Sequence, residues 1–258
     1  DRDVDAVVQR DVIAVLGPSQ IAERGQVADH AVELPLELGD VFRVVEAFGE
    51  KLDMGIDIAP RDLYVAAKGK MYKNLTLADA RDLPFSDESF GSIISISTFE
   101  HIPNTKKLLS EMYRVLMPNG ILAITMETEE VDQNTFYRPM LKKIGLSFLS
   151  NILTNAYNSY FHRHTLPSKE KWIKDFKDAG FKIVTVKNII SPTITKLYDF
   201  FILTSWPAQL FRPFIGRRKV FRPKFIENLL VRIFLRYIKE EEKIGTNLFI
   251  VAKKLSKT

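Results

Sequence analysis

The chain has 258 residues, 46% of them hydrophobic and 27% charged, and its mean hydropathy is −0.06. This balance predicts a folded globular protein and excludes a disordered or membrane-spanning one. With no cysteine and four scattered histidines, the sequence excludes disulfides and thiolate metal sites and favours no metal centre. It shows no signal-peptide pattern or long apolar run, so we expect a cytoplasmic protein.

The charge is divided unevenly along the chain. Residues 1–140 hold 14 Lys or Arg against 24 Asp or Glu, a net charge of −10, whereas residues 141–258 hold 23 against 8, a net of +15. The basic half favours an anionic partner such as a lipid surface, a phosphorylated substrate or nucleic acid. A solvated basic face explains the same charge without a partner.

Strands and helices alternate from about residue 33 to Thr128. Around "VIAVLGPSQIA", before that point, the pattern predicts only a helix or a loop. The alternation predicts a mostly parallel sheet with right-handed crossovers. The predicted strands are "VELPLEL", "DMGIDI", "NLTLADA", "GSIISISTF" and "ILAITM"; the predicted helices are "VFRVVEAF", "LYVAAKGKMY" and "NTKKLLSEMYRVL", the last closed by a turn at "MPNG".

The rhythm changes after Thr128. The stretch "FYRPMLKKIGLSFLSNILTNAYNSYF" predicts helices outside the sheet. An amphipathic helix follows, with Ser168 as its N-cap and Gly180 at its end. The strands "FKIVTVKNI" and "TNLFIVAKK" complete the sheet, and the roughly fifty residues between them are far more than a hairpin needs.

Three segments carry a family resemblance: "ADARDLPFSDESFGSII", "FEHIPN" and "RVLMPNG". They resemble the class I S-adenosylmethionine-dependent methyltransferases of the type 11 group, with Gly91 where that family usually has Asp and Asn119 where it has Gly. The likeness extends more loosely from Leu36 to Ala252. It implies an α/β, Rossmann-like, doubly wound and mostly parallel seven-stranded sheet with an antiparallel last strand, S-adenosyl-L-methionine as cofactor and no metal.

The domain organisation follows from the same resemblance. We expect a methyltransferase-like domain over residues 31–258, preceded by a poorly defined segment at 1–30. Helical insertions at about 129–166 and 191–244 are expected to cover or shape the acceptor site.

The resemblance also implies which residues hold the cofactor. Asp57, at the end of the second strand, would accept the ribose hydroxyls with Ile58 beside it. Asp79 and Ala80, after the third strand, would take the adenine, and Ser97, after the fourth, would line the methionine end. An Asp that closes a strand also serves as a turn residue or a helix cap.

The first loop departs from the family. Its usual form is an acid followed by Gly-x-Gly-x-Gly, whereas "LELGDVF" keeps Glu37, Gly39 and Asp40 and is about three residues shorter. A reduced but workable turn, weakened cofactor binding and an altered N-terminal region are the three alternatives.

Two histidines are candidate bases. His101 lies in "FEHI", and His162 lies in "NSYFHRHTLP" together with Tyr160, Arg163 and His164. Either imidazole could remove a proton from the acceptor. Alternatively, His101 packs against the following turn and His162 lies in a surface turn, and neither takes part in proton transfer.

The insertion before the last strand mixes aromatic and basic residues. Residues 205–238 suit a peripheral membrane contact, while a lid over the site explains the same pattern and nucleic acid is a weaker third option. The basic residues concerned are Arg212, Arg217, Arg218, Lys219, Arg222 and Lys224.

The function predicted from the sequence is methyl transfer to O, N or C of a small-molecule, lipid-linked or glycan-linked acceptor. The alternative is a catalytically impaired relative that binds a partner or a membrane through its basic C-terminal half.

Overall fold

A computed structural model describes residues 13–16, 51–160, 163–164, 166–202, 228–229, 231–233, 235, 237 and 244–256. Within these residues seven strands form one sheet in the order β3-β2-β1-β4-β5-β7-β6, which is the predicted strand number. The strands are β1 (Ile13–Leu16), β2 (Leu52–Asp57), β3 (Tyr72–Leu77), β4 (Phe90–Ile96), β5 (Leu116–Glu127), β6 (Phe181–Ile190) and β7 (Asn247–Lys254). The helices are α1 (Pro60–Gly69), α2 (Thr105–Val115), α3 (Glu130–Gln133), α4 (Tyr137–Lys143), α5 (Ser147–Tyr160), α6 (Lys169–Asp178) and α7 (Pro192–Ile202).

The central strand β1 corrects one prediction. Ile13–Leu16 is a strand that pairs antiparallel with both β2 and β4, where the pattern predicted a helix or loop. A four-residue apolar run cannot be assigned by periodicity alone, because it satisfies a strand and a helix equally well. The strand predicted at "VELPLEL" and the helix predicted at "VFRVVEAF" lie outside the described residues.

Parallel pairing sets the carboxyl ends of the strands side by side. In the β2–β3 pair Asp57 lies opposite Leu77, and in the β4–β5 pair Ile96 lies opposite Thr125. Because β1 is antiparallel to both β2 and β4, those two strands run in the same direction. The residues that follow β2, β3, β4 and β5 therefore lie along one edge of the sheet.

The structure corrects the turn predicted at "MPNG", because residues 117–120 lie inside β5, which begins directly after α2. The β4–β5 register shifts between Phe90 and Ser92, which lie opposite Leu116 and Ile121. Asn119 adopts the left-handed backbone region with a φ of 66°. The extra residues form an irregularity within β5, and β5 follows α2 without a separate loop.

The predicted helix borders beyond β5 are confirmed. The Ser168 side chain caps α6 by accepting from the Lys171 amide, and Gly180 follows the helix with a φ of +95°. The apolar faces of α2 and α6 bury their side chains in the core of the sheet, where they remove apolar surface from water. These core residues are Leu108, Leu109, Met112, Val115, Trp172 and Phe176.

The chain divides into two compact units. The sheet unit comprises the described residues up to Met126, 163–187 and from Leu248 onward, and the helical unit comprises those within 127–162 and 188–247. In the helical unit, the buried Asp199 carboxylate accepts from the Phe136 and Tyr137 amides at 2.9 and 3.1 Å, so that α7 holds the start of α4. Among the described residues, no helix is long and apolar enough to cross a bilayer.

Candidate active site at the carboxyl edge of the sheet

Asp57 closes β2 with one carboxylate oxygen held and the other without a partner. Its Oδ1 accepts from the Ala59 amide at 2.6 Å, whereas Oδ2 is buried and has no hydrogen-bond donor. Burial raises the pKa of Asp57 to about 6, opposed by the Ala59 amide and reinforced by the nearby Asp62 carboxylate. A buried carboxylate oxygen without a donor is costly, so this atom suits a ligand that brings one.

The turn after β3 lies directly beside Asp57. The Ala78 amide donates to the Asp57 carbonyl at 3.0 Å, which places Asp79 and the buried Ala80 next along this edge. The Asp79 carboxylate is held by Arg81, with Oδ1 accepting from the Arg81 amide at 2.8 Å and Oδ2 from Nη2 at 2.6 Å. These bonds to Arg81 lower the pKa of Asp79.

Two apolar side chains stand exposed at the ends of the same strands. Ile58 is 65% exposed and Leu77 is 57% exposed, although Ile58 follows the buried end of β2 and Leu77 lies opposite the buried Asp57. Exposed apolar side chains beside a buried carboxylate suit a ligand in which a flat ring is joined to a polyol. The ring could pack on the apolar side chains, and a hydroxyl could donate to the carboxylate. The sequence analysis named Ile58 and missed Leu77.

Ser97 occupies the corresponding position after β4. It has a φ of 49°, and its amide donates to the Thr125 carbonyl and to Thr125 Oγ1, each at 3.0 Å. These contacts fix the turn at the carboxyl end of β4. The edge thus carries Asp57, Asp79 and Ser97 together, with β1 lying between the second strand and the fourth.

His101 lies in the short 3-10 turn Phe99–His101 that follows Ser97. The turn is closed by the His101 amide, which donates to the Thr98 carbonyl at 3.0 Å, and the side chain is half-buried. The neighbouring Glu100 is buried, and its carbonyl accepts from the His164 amide at 3.0 Å. The "FEHI" segment and His164 are therefore brought together.

The remaining predicted site residues cannot be placed on this edge. Glu37, Gly39, Asp40 and His162 lie outside the described residues. The sequence analysis missed Arg81 as the partner of Asp79; its only signal was a basic residue two positions after an acid that ends a strand. No group of three metal-binding side chains occurs in the parts of the chain that the structure describes.

The geometry joins a buried carboxylate that has one unpartnered oxygen, an exposed apolar pair and a second acid at the strand ends of an α/β sheet. Residues 38–124 match the family model of the methyltransferase domain. Over these residues the chain is similar to a methyltransferase domain. The match begins before β2 and ends within β5, and it includes Asp57, Asp79, Ser97 and His101.

Curated relatives extend the likeness. The ubiquinone/menaquinone biosynthesis C-methyltransferase UbiE of Brucella abortus is 30% identical over 169 residues, covering 58% of this chain and 61% of that protein. The same enzyme of Rhizobium etli is 32% identical over 169 residues, covering 58% and 63%. The UbiE of Rickettsia felis is 30% identical over 128 residues, covering 46% and 51%. The chain thus spans about half to three fifths of the length of these relatives.

Solved structures share the fold. The [4+2]-cyclase SpnF superposes with a TM-score of 0.52 at 16% identity, covering 84% of this chain and 70% of that one. A protein of Galdieria sulphuraria, provisionally assigned as a sarcosine dimethylglycine methyltransferase, gives a TM-score of 0.50 at 20% identity, covering 84% and 74%. At these identities the likeness is one of fold.

Proposed function

We propose that this chain is an S-adenosylmethionine-dependent methyltransferase and transfers a methyl group to a small-molecule or lipid-linked acceptor. The observation that carries the proposal is Asp57, which keeps Oδ2 buried and without a donor at the end of β2. The two hydroxyls of a ribose supply O–H donors of the kind that this oxygen lacks.

The other residues of the edge have roles that follow from their positions. Ile58 and Leu77 would contact the adenine ring, while the Asp79 carboxylate would accept from its amino group and the Ala80 amide would donate to a ring nitrogen. Ser97 would lie toward the methionine end. Glu37, Gly39 and Asp40 lie outside the described residues; by the family resemblance alone, they would hold the carboxypropyl group.

The bound cofactor supplies a methyl group on a positively charged sulfur. The protein's contribution is to hold the acceptor atom in line with the C–S bond, so that its electron pair forms the new bond while the C–S pair stays on sulfur. Where the acceptor atom carries a proton, we propose that His101 or His162 accepts it. No described side chain needs to form a covalent bond to either substrate.

The names of the curated relatives guide the choice of acceptor. Proteins called ubiquinone/menaquinone biosynthesis C-methyltransferases support a lipid-linked ring, methylated at carbon, as the first acceptor to test. Calorimetric titration with S-adenosylhomocysteine should show binding, and a labelled-methyl assay should show transfer to a quinol-type lipid. Binding without transfer to any acceptor would contradict the enzymatic proposal.

The second candidate is a relative that binds a partner and no longer catalyses. It is favoured by the single glycine of "LELGDVF" and by the engagement of the Asp79 carboxylate with Arg81. A Gly-rich insertion after Gly39 distinguishes the two functions. Tighter S-adenosylhomocysteine binding in the lengthened chain supports impairment, whereas tight binding by the parent with no gain supports the enzyme.

A further inference from the structure

A helical hairpin in the helical unit has an unusual charge composition. The α4–α5 hairpin, residues 137–160, contains no Asp or Glu. Its basic residues are Arg138, which is 2% exposed, and the exposed Lys142 and Lys143 next to the turn. The solvent-facing charge at the tip of the hairpin is therefore entirely positive.

The tip itself is apolar and exposed. Ile144 is 62% exposed, Leu146 43%, Phe148 74% and Leu149 45%, all within six consecutive residues. Isolated surface apolar residues are ordinary, but a contiguous exposed group marks a surface that meets an apolar medium. This group adjoins Lys143 in the chain.

The backbone of the tip is already ordered. The Leu146 amide donates to the Leu141 carbonyl at 2.8 Å, and the Gly145 amide donates to the Lys142 carbonyl at 3.1 Å. Gly145 supplies the φ of +81° that this turn requires, with open space around it. Because these amides are paired, the turn can enter an apolar medium with little cost from its backbone.

The two helices are also tied to each other behind the tip. Ser150 is fully buried, and its hydroxyl donates to the Arg138 carbonyl at 3.1 Å. The Arg138 guanidinium stacks over the Tyr157 ring, 5.1 Å from its centroid. The hairpin therefore presents its apolar residues on a preformed support.

We propose that the tip of the α4–α5 hairpin inserts into the surface of an anionic lipid bilayer. Ile144, Leu146 and Phe148 would enter the boundary between headgroups and acyl chains, while Lys142 and Lys143 reach back to lipid phosphates. Each lysine near an anionic surface strengthens binding by about fivefold. The hairpin rests on the surface and does not span it.

Charge argues against a second copy of the chain as the occupant. A symmetric contact through the tip would bring Lys142 and Lys143 of two copies together, and the hairpin has no acid to pair with them. The site is distinct from the basic segment 205–238, whose membrane contact remains a separate proposal. It also shares no residue with the proposed cofactor site.

Vesicle sedimentation of the full chain tests the proposal. The parent should bind phosphatidylglycerol-containing vesicles more strongly at low salt than at high salt, and phosphatidylcholine vesicles weakly. Lys142→Gln with Lys143→Gln should weaken binding to the anionic vesicles about tenfold or more. The matched control is Lys177→Gln with Lys182→Gln, two exposed lysines of the sheet unit, which should bind like the parent.

The apolar contribution needs its own variants. Ile144→Ser with Phe148→Ser should weaken binding about tenfold on both vesicle types, whereas Val184→Ser, at a site 52% exposed in the sheet unit, should not. Changing Arg217, Arg218 and Lys219 to Gln measures the other segment separately. S-adenosylhomocysteine affinity should be the same in all hairpin variants, which keeps this proposal separable from the proposed function.

A label on the otherwise cysteine-free chain reports insertion without altering its charge. An environment-sensitive dye on Phe148→Cys should shift to shorter wavelength with anionic vesicles, and the same dye on Val184→Cys should not. The proposal is overturned if the parent does not sediment with anionic vesicles, or if the dye on residue 148 does not shift. A concentration-dependent dimer lost in Phe148→Ser would instead identify a second copy as the occupant.

Discussion

An aspartate lies at the carboxyl end of both β2 and β3, but the pKa of one is raised and the pKa of the other is lowered. Asp57 is buried with one oxygen unpartnered, and its pKa is raised to about 6. Asp79, in the turn after the adjacent strand β3, is partly exposed and paired with Arg81, which lowers its pKa. A hydrogen-bond donor of a ligand could therefore bind the unpartnered oxygen of Asp57. At Asp79 the same donor would have to share the carboxylate with Arg81.

The largest expected effect comes from removing Asp57. Asp57→Ala should weaken S-adenosylhomocysteine binding about tenfold to a hundredfold, because a charge-assisted hydrogen bond contributes about 1.5–3 kcal/mol. Calorimetric titration above neutral pH measures the dissociation constant. Asp62→Ala, which removes a nearby acid that bears no proposed ligand contact, is the control. Equal affinities for Asp57→Ala and the parent would remove Asp57 from the site.

The pH dependence of binding is the next effect. If the ionised Asp57 accepts the ribose hydroxyls as proposed, affinity should be constant above pH about 7 and fall as the carboxylate is protonated below about 6. Between pH about 7 and about 5 the dissociation constant should rise about tenfold. Asp57→Asn should remove this dependence; a parent whose affinity does not change over that interval would contradict the role of the carboxylate.

Asp79 should matter less than Asp57. Asp79→Asn should weaken S-adenosylhomocysteine binding about threefold, because its carboxylate is already engaged and both partners of the ion pair are partly exposed. Asp82→Asn, an exposed acid in the same turn, serves as control. A loss larger than that of Asp57→Ala would reverse the comparison between the two strand ends.

The smallest expected effect concerns Tyr72, a residue of β3 whose ring packs against Gly55 of β2. The Tyr72 hydroxyl is buried without a partner, and the Tyr72 ring packs so closely that an added Cβ on Gly55 would lie 2.9 Å from Tyr72 Cδ1. Tyr72→Phe removes the unpaired hydroxyl and should stabilise the fold by about 1 kcal/mol, raising Tm by about 2–4 °C. S-adenosylhomocysteine affinity should not change. A lower Tm would show that the hydroxyl has a favourable role.

Much of the sheet was predictable because its signals are local. The alternation of apolar strands with helices of one apolar face, and the caps Ser168 and Gly180, depend on residues close together in the chain. The position of Asp57 at the end of a strand followed from the same pattern. Local order along the chain was sufficient for these elements.

The rest depends on partners that are distant in sequence or on burial. Ile13–Leu16 pairs antiparallel with both β2 and β4, which are distant in sequence. Four apolar residues do not indicate which strands they pair with or in which direction. Whether a carboxylate has a hydrogen-bond partner likewise depends on the tertiary structure. Leu77 was recognised as a candidate site residue only because the structure places it opposite Asp57. For the tip of the α4–α5 hairpin, the sequence pattern predicts only helices. That its apolar residues are exposed to solvent is known from the structure alone.

The antiparallel insertion of β1 has a consequence for cooperativity. Among the described strands, backbone pairing joins the pair β2–β3 to the group β4-β5-β7-β6 only through Ile13–Leu16. Opening this four-residue joint would expose two strand edges at once, so its amides should exchange with solvent either together with the whole sheet or in a sub-global step that separates the halves. Hydrogen exchange at Ala14 and Val15 would thus report whether the two halves of the sheet unfold as one body.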